Sequence, residues 1–225
     1  MTIQALIFDV DGTLAETEEV HRAAFNRVFA DERLDWSWDV DLYRDLLKTT
    51  GGKERMRAYA SQVGAEIDDA HVQRMHLAKN DQYGALTRGG QAALRPGVED
   101  LIRRSHAAGL KLAICTTTSR ANIEALVEAT LGADGFALFD VIVGAEDAPV
   151  KKPAPDAYLL ALKRLGLPAA DCLAFEDSAN GLAAARAAGI ATVVTPGIYT
   201  AHETFGGAAI VLPSLAGFDW RLFAD

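Results

Sequence analysis

The chain has 225 residues, half of them hydrophobic, and a formal net charge of −9, which allows a real core in one domain or in a large domain with a smaller insert. That charge argues against nucleic acid or an anionic membrane as a partner, so an anionic substrate must meet locally clustered lysines and arginines. No basic leader and no apolar run long enough for a bilayer is visible, and the expectation is a cytoplasmic monomer acting on a small molecule.

In chain order, the apolar run Ala5-Leu6-Ile7-Phe8 reads as a buried strand ending in Asp9-Val10-Asp11-Gly12-Thr13-Leu14. From Glu16 to Arg88 the patterns are helical: Val20-Ala23-Ala24-Val28, Leu42-Leu46-Leu47, Met56 to Val63 and His71 to Tyr83. Beyond Leu94 the rhythm changes to alternation. Arg95-Pro96-Gly97 opens a helix that Gly109 ends, Leu110 to Cys115 is a strand, and Ser119 N-caps a helix through Leu131. Asp140 to Gly144 is the next strand, Pro155 to Leu165 a helix, Cys172 to Phe175 a strand, Asn180 to Ala188 an alanine-rich helix, and Ile190 to Val194 a last strand. Cys115 and Cys172 fall in apolar strand segments and read as buried free thiols. Near-continuous apolar strands separated by helices predict an α/β fold with a parallel sheet covered on both faces. The first strand must join that sheet, so residues 16–88 form a helical insert above a core built from 1–15 and 89–225.

Ligands of such sheets bind beyond the carboxyl ends of the strands, and four short motifs fall there. Asp9 and Asp11 are two apart and share one face of a strand end. Thr116 follows the second strand, Lys151-Lys152-Pro153 precedes a helix, and Glu176-Asp177-Ser178 follows Phe175. Each alone has a plain structural explanation: a turn, a β-branched strand end, a solvated loop, a helix cap. Together they bring a nucleophile, a hydroxyl, an ammonium and a second acidic pair to one edge. That set suits phosphoryl transfer, which depends on charge neutralisation and positioning. Asp9 attacks phosphorus, and Asp11 protonates the leaving oxygen and then deprotonates water. Mg2+, which prefers oxygen ligands, is expected on Asp9, Asp11 through its carbonyl, and Asp177, with support from Glu176. Thr116 and Lys152 bind the equatorial oxygens.

In this order, Asp9-x-Asp11-Gly12-Thr13, Thr116, Lys152-Pro153 and Glu176-Asp177 resemble the haloacid dehalogenase-like hydrolases over essentially the whole chain. The resemblance implies a Rossmann-like core, with a small all-helical cap of the β-phosphoglucomutase-like subgroup inserted after the first strand. The runs Ala15-Glu16-Thr17-Glu18, Thr50-Gly51-Gly52-Lys53-Glu54-Arg55, Thr116-Thr117-Thr118-Ser119 and Lys151-Lys152-Pro153 together resemble the CbbY-type phosphatases more closely than the mutases. Those enzymes remove one phosphate of xylulose-1,5-bisphosphate, an inhibitory by-product of Rubisco. The resemblance implies substrate contacts from Glu16, Tyr43, Gly51, Gly52, Lys53 and Arg55, with His21, Lys79, Thr117 and Thr118 as further candidates. Glycine amides and Lys53 before a helix can cradle a phosphate. Trp36 and Trp38 read as packing within the insert, and Arg120 has no assigned role. A mutase that returns the phosphoryl group to a sugar hydroxyl, or a phosphatase of another sugar phosphate, is the alternative. A phospho-aspartate signalling module fits less well, because it does not explain the long insert or the late acidic pair.

Overall fold

A computed structural model of the protein describes residues 2–148 and 150–223; Met1, Pro149, Ala224 and Asp225, all within the expected core, lie outside the described residues. The strands are β1 (Ala5–Phe8), β2 (Lys111–Cys115), β3 (Val141–Val143), β4 (Cys172–Glu176), β5 (Ala191–Val194) and β6 (Ile210–Val211). Between β1 and β2 lie α1 (Glu18–Asp31), α2 (Val40–Leu46), α3 (Gly52–Gln62), α4 (Asp69–Leu86) and α5 (Val98–Ala107); α6 (Arg120–Leu131), α7 (Asp156–Leu165) and α8 (Ala179–Ala187) follow. The strands form one parallel sheet in the order β3-β2-β1-β4-β5-β6. This is the Rossmann-like α/β fold.

Alternation along the strands divides their side chains between two faces. Leu6 and Phe8 join Leu112, Ile114, Leu173 and Phe175 in a core closed by α5 and α6. Ala5 and Ile7 join Ala113, Cys115, Cys172 and Ala174 in a second core closed by α7 and α8. Phe8 and Phe175 stack with centroids 4.7 Å apart across β1 and β4, and burial of each aromatic contributes about 1.5–3 kcal/mol. From β1 the chain runs to β2 on one side, and after β3 it crosses back to β4 on the other. The strand order therefore reverses at β1, and a crevice opens beyond the carboxyl ends of β1 and β4. Both cysteines are free and buried. Among the described residues no helix is long and apolar enough to cross a membrane.

The helices of the insert enclose a core of Phe25, Phe29, Trp38, Tyr43, Met56, Val72 and Met75, which Tyr199 from beyond β5 joins. Trp38 is fully buried and Trp36 packs edge-on against Phe29 at 5.3 Å. On α4 the buried stripe runs Val72, Met75, Lys79, Tyr83, Leu86, a helical spacing in which one position is a lysine. Two segments, 11–17 and 87–97, connect insert and sheet and meet in a bridge between Ala15 and Leu94.

Three sequence expectations shift. The helix expected from Met56 begins at Gly52, so Gly52 and Lys53 form its first turn and do not precede it. The helix expected to open at Arg95-Pro96-Gly97 begins at Val98, because Gly97 holds φ +87° and a Cβ there would collide with the Leu215–Ala216 backbone. The strand β6 was not expected; it is two exposed residues at a sheet edge, too short for a visible alternation.

Candidate active site

Asp9 continues the line of β1, its amide donating to the Phe175 carbonyl at 3.0 Å, so it emerges beside Glu176 at the end of β4. Lys152 rises between them. Its Nζ donates to Asp9 Oδ1 at 2.7 Å, Glu176 Oε1 at 2.6 Å and the Cys115 carbonyl at 2.9 Å. Tyr158 of α7 donates its hydroxyl to the same Glu176 oxygen at 2.5 Å, and Thr200 donates to Asp177 Oδ2 at 3.0 Å. The next residue, Ser178, caps α8 by accepting from the Gly181 amide, so the cap and the acidic pair are separate parts of one motif. Glycine makes the approach possible at two points: a Cβ on Gly12, at φ +81°, would strike Asp177, and one on Gly181 would strike Glu176.

The electrostatics are those of a site with too much negative charge. Burial, joined by Glu176 and Asp11 and only partly offset by Lys152, raises Asp9 to about 7. Burial followed by Asp9 and Glu176 pushes Asp177 well above the usual carboxylate range. For Lys152 burial acts downward, but Asp9 and Glu176 outweigh it and hold the ammonium well above its ordinary value. Oxygens of Asp9, Glu176 and Asp177 lie within 4.8 Å of one another. Three carboxylates against the one ammonium of Lys152 leave two charges uncompensated when all are ionised. Glu176 Oε2 is also buried without a hydrogen-bond partner. Hard oxygens, a spare acceptor and a deficit of two positive charges fit a divalent cation such as Mg2+.

Asp11 faces the insert. Thr17 donates to Asp11 Oδ1 at 2.5 Å, and His21 Nε2 lies 2.9 Å from the same oxygen. Lys79 Nζ lies 2.6 Å from His21 Nδ1. With Nδ1 accepting from the lysine, the imidazole donates from Nε2 to Asp11. Burial alone acts to raise Asp11, but His21 and Thr17 outweigh it and bring the carboxyl to about 2. Burial lowers Lys79 to about 7, and nearby Arg55 acts in the same direction.

A cavity of about 680 Å3 connects these groups; it is lined by Asp9, Asp11, Thr116, Thr117, Thr118, Lys152, Glu176 and Asp177 from the sheet side and by His21, Gly51, Gly52, Lys53, Arg55 and Lys79 from the insert. Two expected substrate contacts are placed elsewhere. Glu16 does not line the cavity: its Oε1 pairs with Arg95 at 3.2 Å and its Oε2 accepts from the Ile198 amide. Tyr43 is fully buried beneath the insert wall, donating to Glu18 at 2.7 Å and accepting from Arg55 at 3.1 Å. The acidic cluster is formed by Asp9, Glu176 and Asp177, while the Asp11 carboxylate is engaged by His21 and Thr17, in keeping with the expectation that Asp11 offers a metal its carbonyl only. Arg120 lies off the cavity, paired with Glu124 at 3.0 Å and set over the Phe136 ring.

The sequence model of the family described as haloacid dehalogenase-like hydrolase matches residues 3–189. The chain belongs to the haloacid dehalogenase-like hydrolases. It is similar to the protein CbbY of Rhodobacter capsulatus, with 53% identity over 96% of this chain and 95% of that one. Among solved structures it is similar to CbbY from Rhodobacter sphaeroides in complex with phosphate, at 48% identity, a TM-score of 0.92 and 96% of each chain covered. A mutant of that protein crystallised with xylulose-1,5-bisphosphate matches at 47% identity with the same TM-score and coverage. This haloacid dehalogenase-like hydrolase is thus a phosphatase similar to CbbY.

Several groups at the site of this hydrolase escaped the sequence reading. His76 lines the cavity, and burial followed by Lys79 and Lys53 lowers it to about 3, so it is a neutral imidazole. Tyr158 sits in an ordinary apolar stripe of α7 with Ala157, Ala161 and Leu165, and nothing in its spacing announces a hydroxyl on Glu176. Thr200 lies on a segment with no periodicity. Lys79, by contrast, was among the expected contacts, and its buried place in the α4 stripe bears on why: a lysine there is a charge that burial would penalise without a task.

Proposed function

We propose that this chain hydrolyses xylulose-1,5-bisphosphate to xylulose-5-phosphate and inorganic phosphate through an aspartyl-phosphate on Asp9. The observation that carries this reading is a single cavity whose lining takes Lys152 and Thr116 from the sheet side, with Asp9, and Lys53, Arg55 and Lys79 from the insert. A sugar with a phosphate at each terminus matches that lining, and the CbbY mutant's bound bisphosphate supports the choice of sugar. In this reading residues 16–88 act as a cap over a core of 1–15 and 89–225, and closure excludes bulk water.

Asp9 Oδ attacks phosphorus as the bond to the sugar oxygen breaks, and the departing oxygen takes a proton from Asp11. Water then attacks the aspartyl-phosphate, giving its proton to Asp11 while the Asp9–phosphorus bond breaks. Lys152 orients Asp9 Oδ1 and, with Thr116, neutralises phosphoryl oxygens. Asp9, Glu176 and Asp177 would hold Mg2+, which supplies positive charge against the phosphoryl oxygens. Asp11 is ionised as it stands at about 2, so acid catalysis requires it to take a proton as substrate docks. His21, between Asp11 and Lys79, is the adjacent proton carrier.

Purified protein with Mg2+ should release phosphate from xylulose-1,5-bisphosphate faster than from a panel of sugar monophosphates. Isomerisation of β-glucose-1-phosphate with negligible phosphate release would instead establish the mutase. Lys53 is a half-buried lysine on the cavity wall, so Lys53→Ala should raise KM for the bisphosphate about tenfold with kcat little changed. An unchanged KM would remove Lys53 from the distal phosphate. Metal binding needs deprotonated ligands, and Asp9 is protonated below about 7 in the metal-free protein. Saturating Mg2+ should therefore raise Tm more at pH 8 than at pH 5.5, as measured by scanning calorimetry.

A further inference from the structure

The side chain of Arg95 is 9% exposed, in the segment that leads from the insert back to the sheet, and no step described so far uses it. Its guanidinium donates to the Gly12 carbonyl, to the Thr195 carbonyl at 2.6 Å and to the Pro196 carbonyl at 2.8 Å, and its Nε forms an ion pair with Glu16 Oε1 at 3.2 Å. Its own amide donates to the Leu14 carbonyl at 2.8 Å. One side chain thus ties both insert connections to the end of β5. A buried guanidinium with one carboxylate and three carbonyls is an expensive way to gain stability, because desolvation offsets most of the attraction. Its planar fork is suited to fixing several acceptors in one geometry. The acceptors matter here: Gly12 follows Asp11, its amide closes the turn onto the Ala15 carbonyl at 2.8 Å, and Asp177 packs against its Cα.

We infer that Arg95 is a positioning residue for the reaction: by holding the Gly12 carbonyl and Glu16 on the end of β5, it sets the turn that aims Asp11 at the leaving oxygen. It also accounts for Glu16, which the pairing draws away from the cavity and into the connection. This inference rests on the acid–base role proposed for Asp11.

The experiment is a double-mutant cycle on kcat with Arg95→Gln, Asp11→Asn and the pair, using xylulose-1,5-bisphosphate and 4-nitrophenyl phosphate with Mg2+. Arg95→Gln should lower kcat for the bisphosphate about 100-fold with KM nearly unchanged, and Arg95→Lys should recover part of the loss. In the Asp11→Asn background the same substitution should cost little more, because the two act through one function. Multiplying effects, or a loss confined to KM, would overturn the inference. If Arg95→Gln fails to fold, Arg95→Lys carries the cycle with the same expected non-additivity. An Asp11→Asn protein with wild-type kcat would sink the acid–base role itself, and activity on 4-nitrophenyl phosphate alone would sink the choice of sugar.

Discussion

Asp9→Asn should abolish turnover, lowering kcat by about 10⁴-fold or more, and yet raise the stability of the metal-free protein. The loss follows from chemistry: an amide oxygen is too poor a nucleophile to form the phosphoryl intermediate. The gain follows from the charge excess of the site, where burial and neighbouring carboxylates raise Asp9 to about 7. A carboxyl whose folded value exceeds its unfolded value of 3.8 binds its proton more tightly when folded. Its contribution to stability is full below pH 4 and is lost as pH rises through about 7. The substituted amide keeps an acceptor for Lys152 and has no charge to lose. The Tm difference between variant and wild type should therefore be small at pH 4.5 and grow toward pH 8, by calorimetry in EDTA. A variant with substantial turnover contradicts covalent catalysis at Asp9, and a Tm difference independent of pH contradicts the electrostatic origin.

How much of this was readable in the chain depends on which physical signal each part leaves. The sheet was legible because its strands are apolar runs punctuated by helices with caps and glycine ends: Ala5–Phe8, Lys111–Cys115 and Cys172–Glu176 pair side by side. The residues at their ends, Asp9, Thr116 and Glu176-Asp177, were legible for the same reason, since polar groups right after buried strands are out of place unless used. The insert was harder. Its helices were readable, but which side chains face the cavity depends on how the insert sits over the sheet, and that is a tertiary fact. Hence Tyr43, a plausible contact by resemblance, lies beneath the wall, while His76, one turn before Lys79, reaches the cavity. Glu16 shows a different limit, because its partner Arg95 lies beyond the whole insert and no local pattern links them. The edge strand β6 left no signal at all, since two residues after a run of glycine and alanine are too few to alternate.

Lys152→Met should be nearly as damaging to activity as to stability, and pH should separate its two effects. Lys152 Nζ contacts Asp9 at 2.7 Å, Glu176 at 2.6 Å and the Cys115 carbonyl at 2.9 Å. It is 6% exposed. Methionine fills similar volume, so packing is largely kept while three buried carboxylates lose their compensating charge. Removing one partner of a buried ion pair costs about 3–5 kcal/mol, and each kcal/mol moves Tm by about 2–4 °C at this size; a drop of about 6–20 °C is expected at pH 8 without metal. In the wild type the ammonium is held well above its ordinary value. Its stabilising contribution is therefore present throughout the neutral range and is lost only at high pH. In the variant Asp9, no longer offset by Lys152, is raised further and takes up its proton as pH falls, so the deficit should shrink toward pH 5. Saturating Mg2+ should restore part of the Tm at pH 8, because a divalent cation supplies the missing charge. It should not restore kcat, expected to fall about 10²–10³-fold, because no ion on the carboxylates replaces the donor on Asp9 Oδ1, which in the proposed mechanism also meets the phosphoryl oxygens. A Tm deficit equal at pH 5 and pH 8 would make Lys152 a packing residue, and recovery of turnover by Mg2+ alone would reduce its part in catalysis to charge balance.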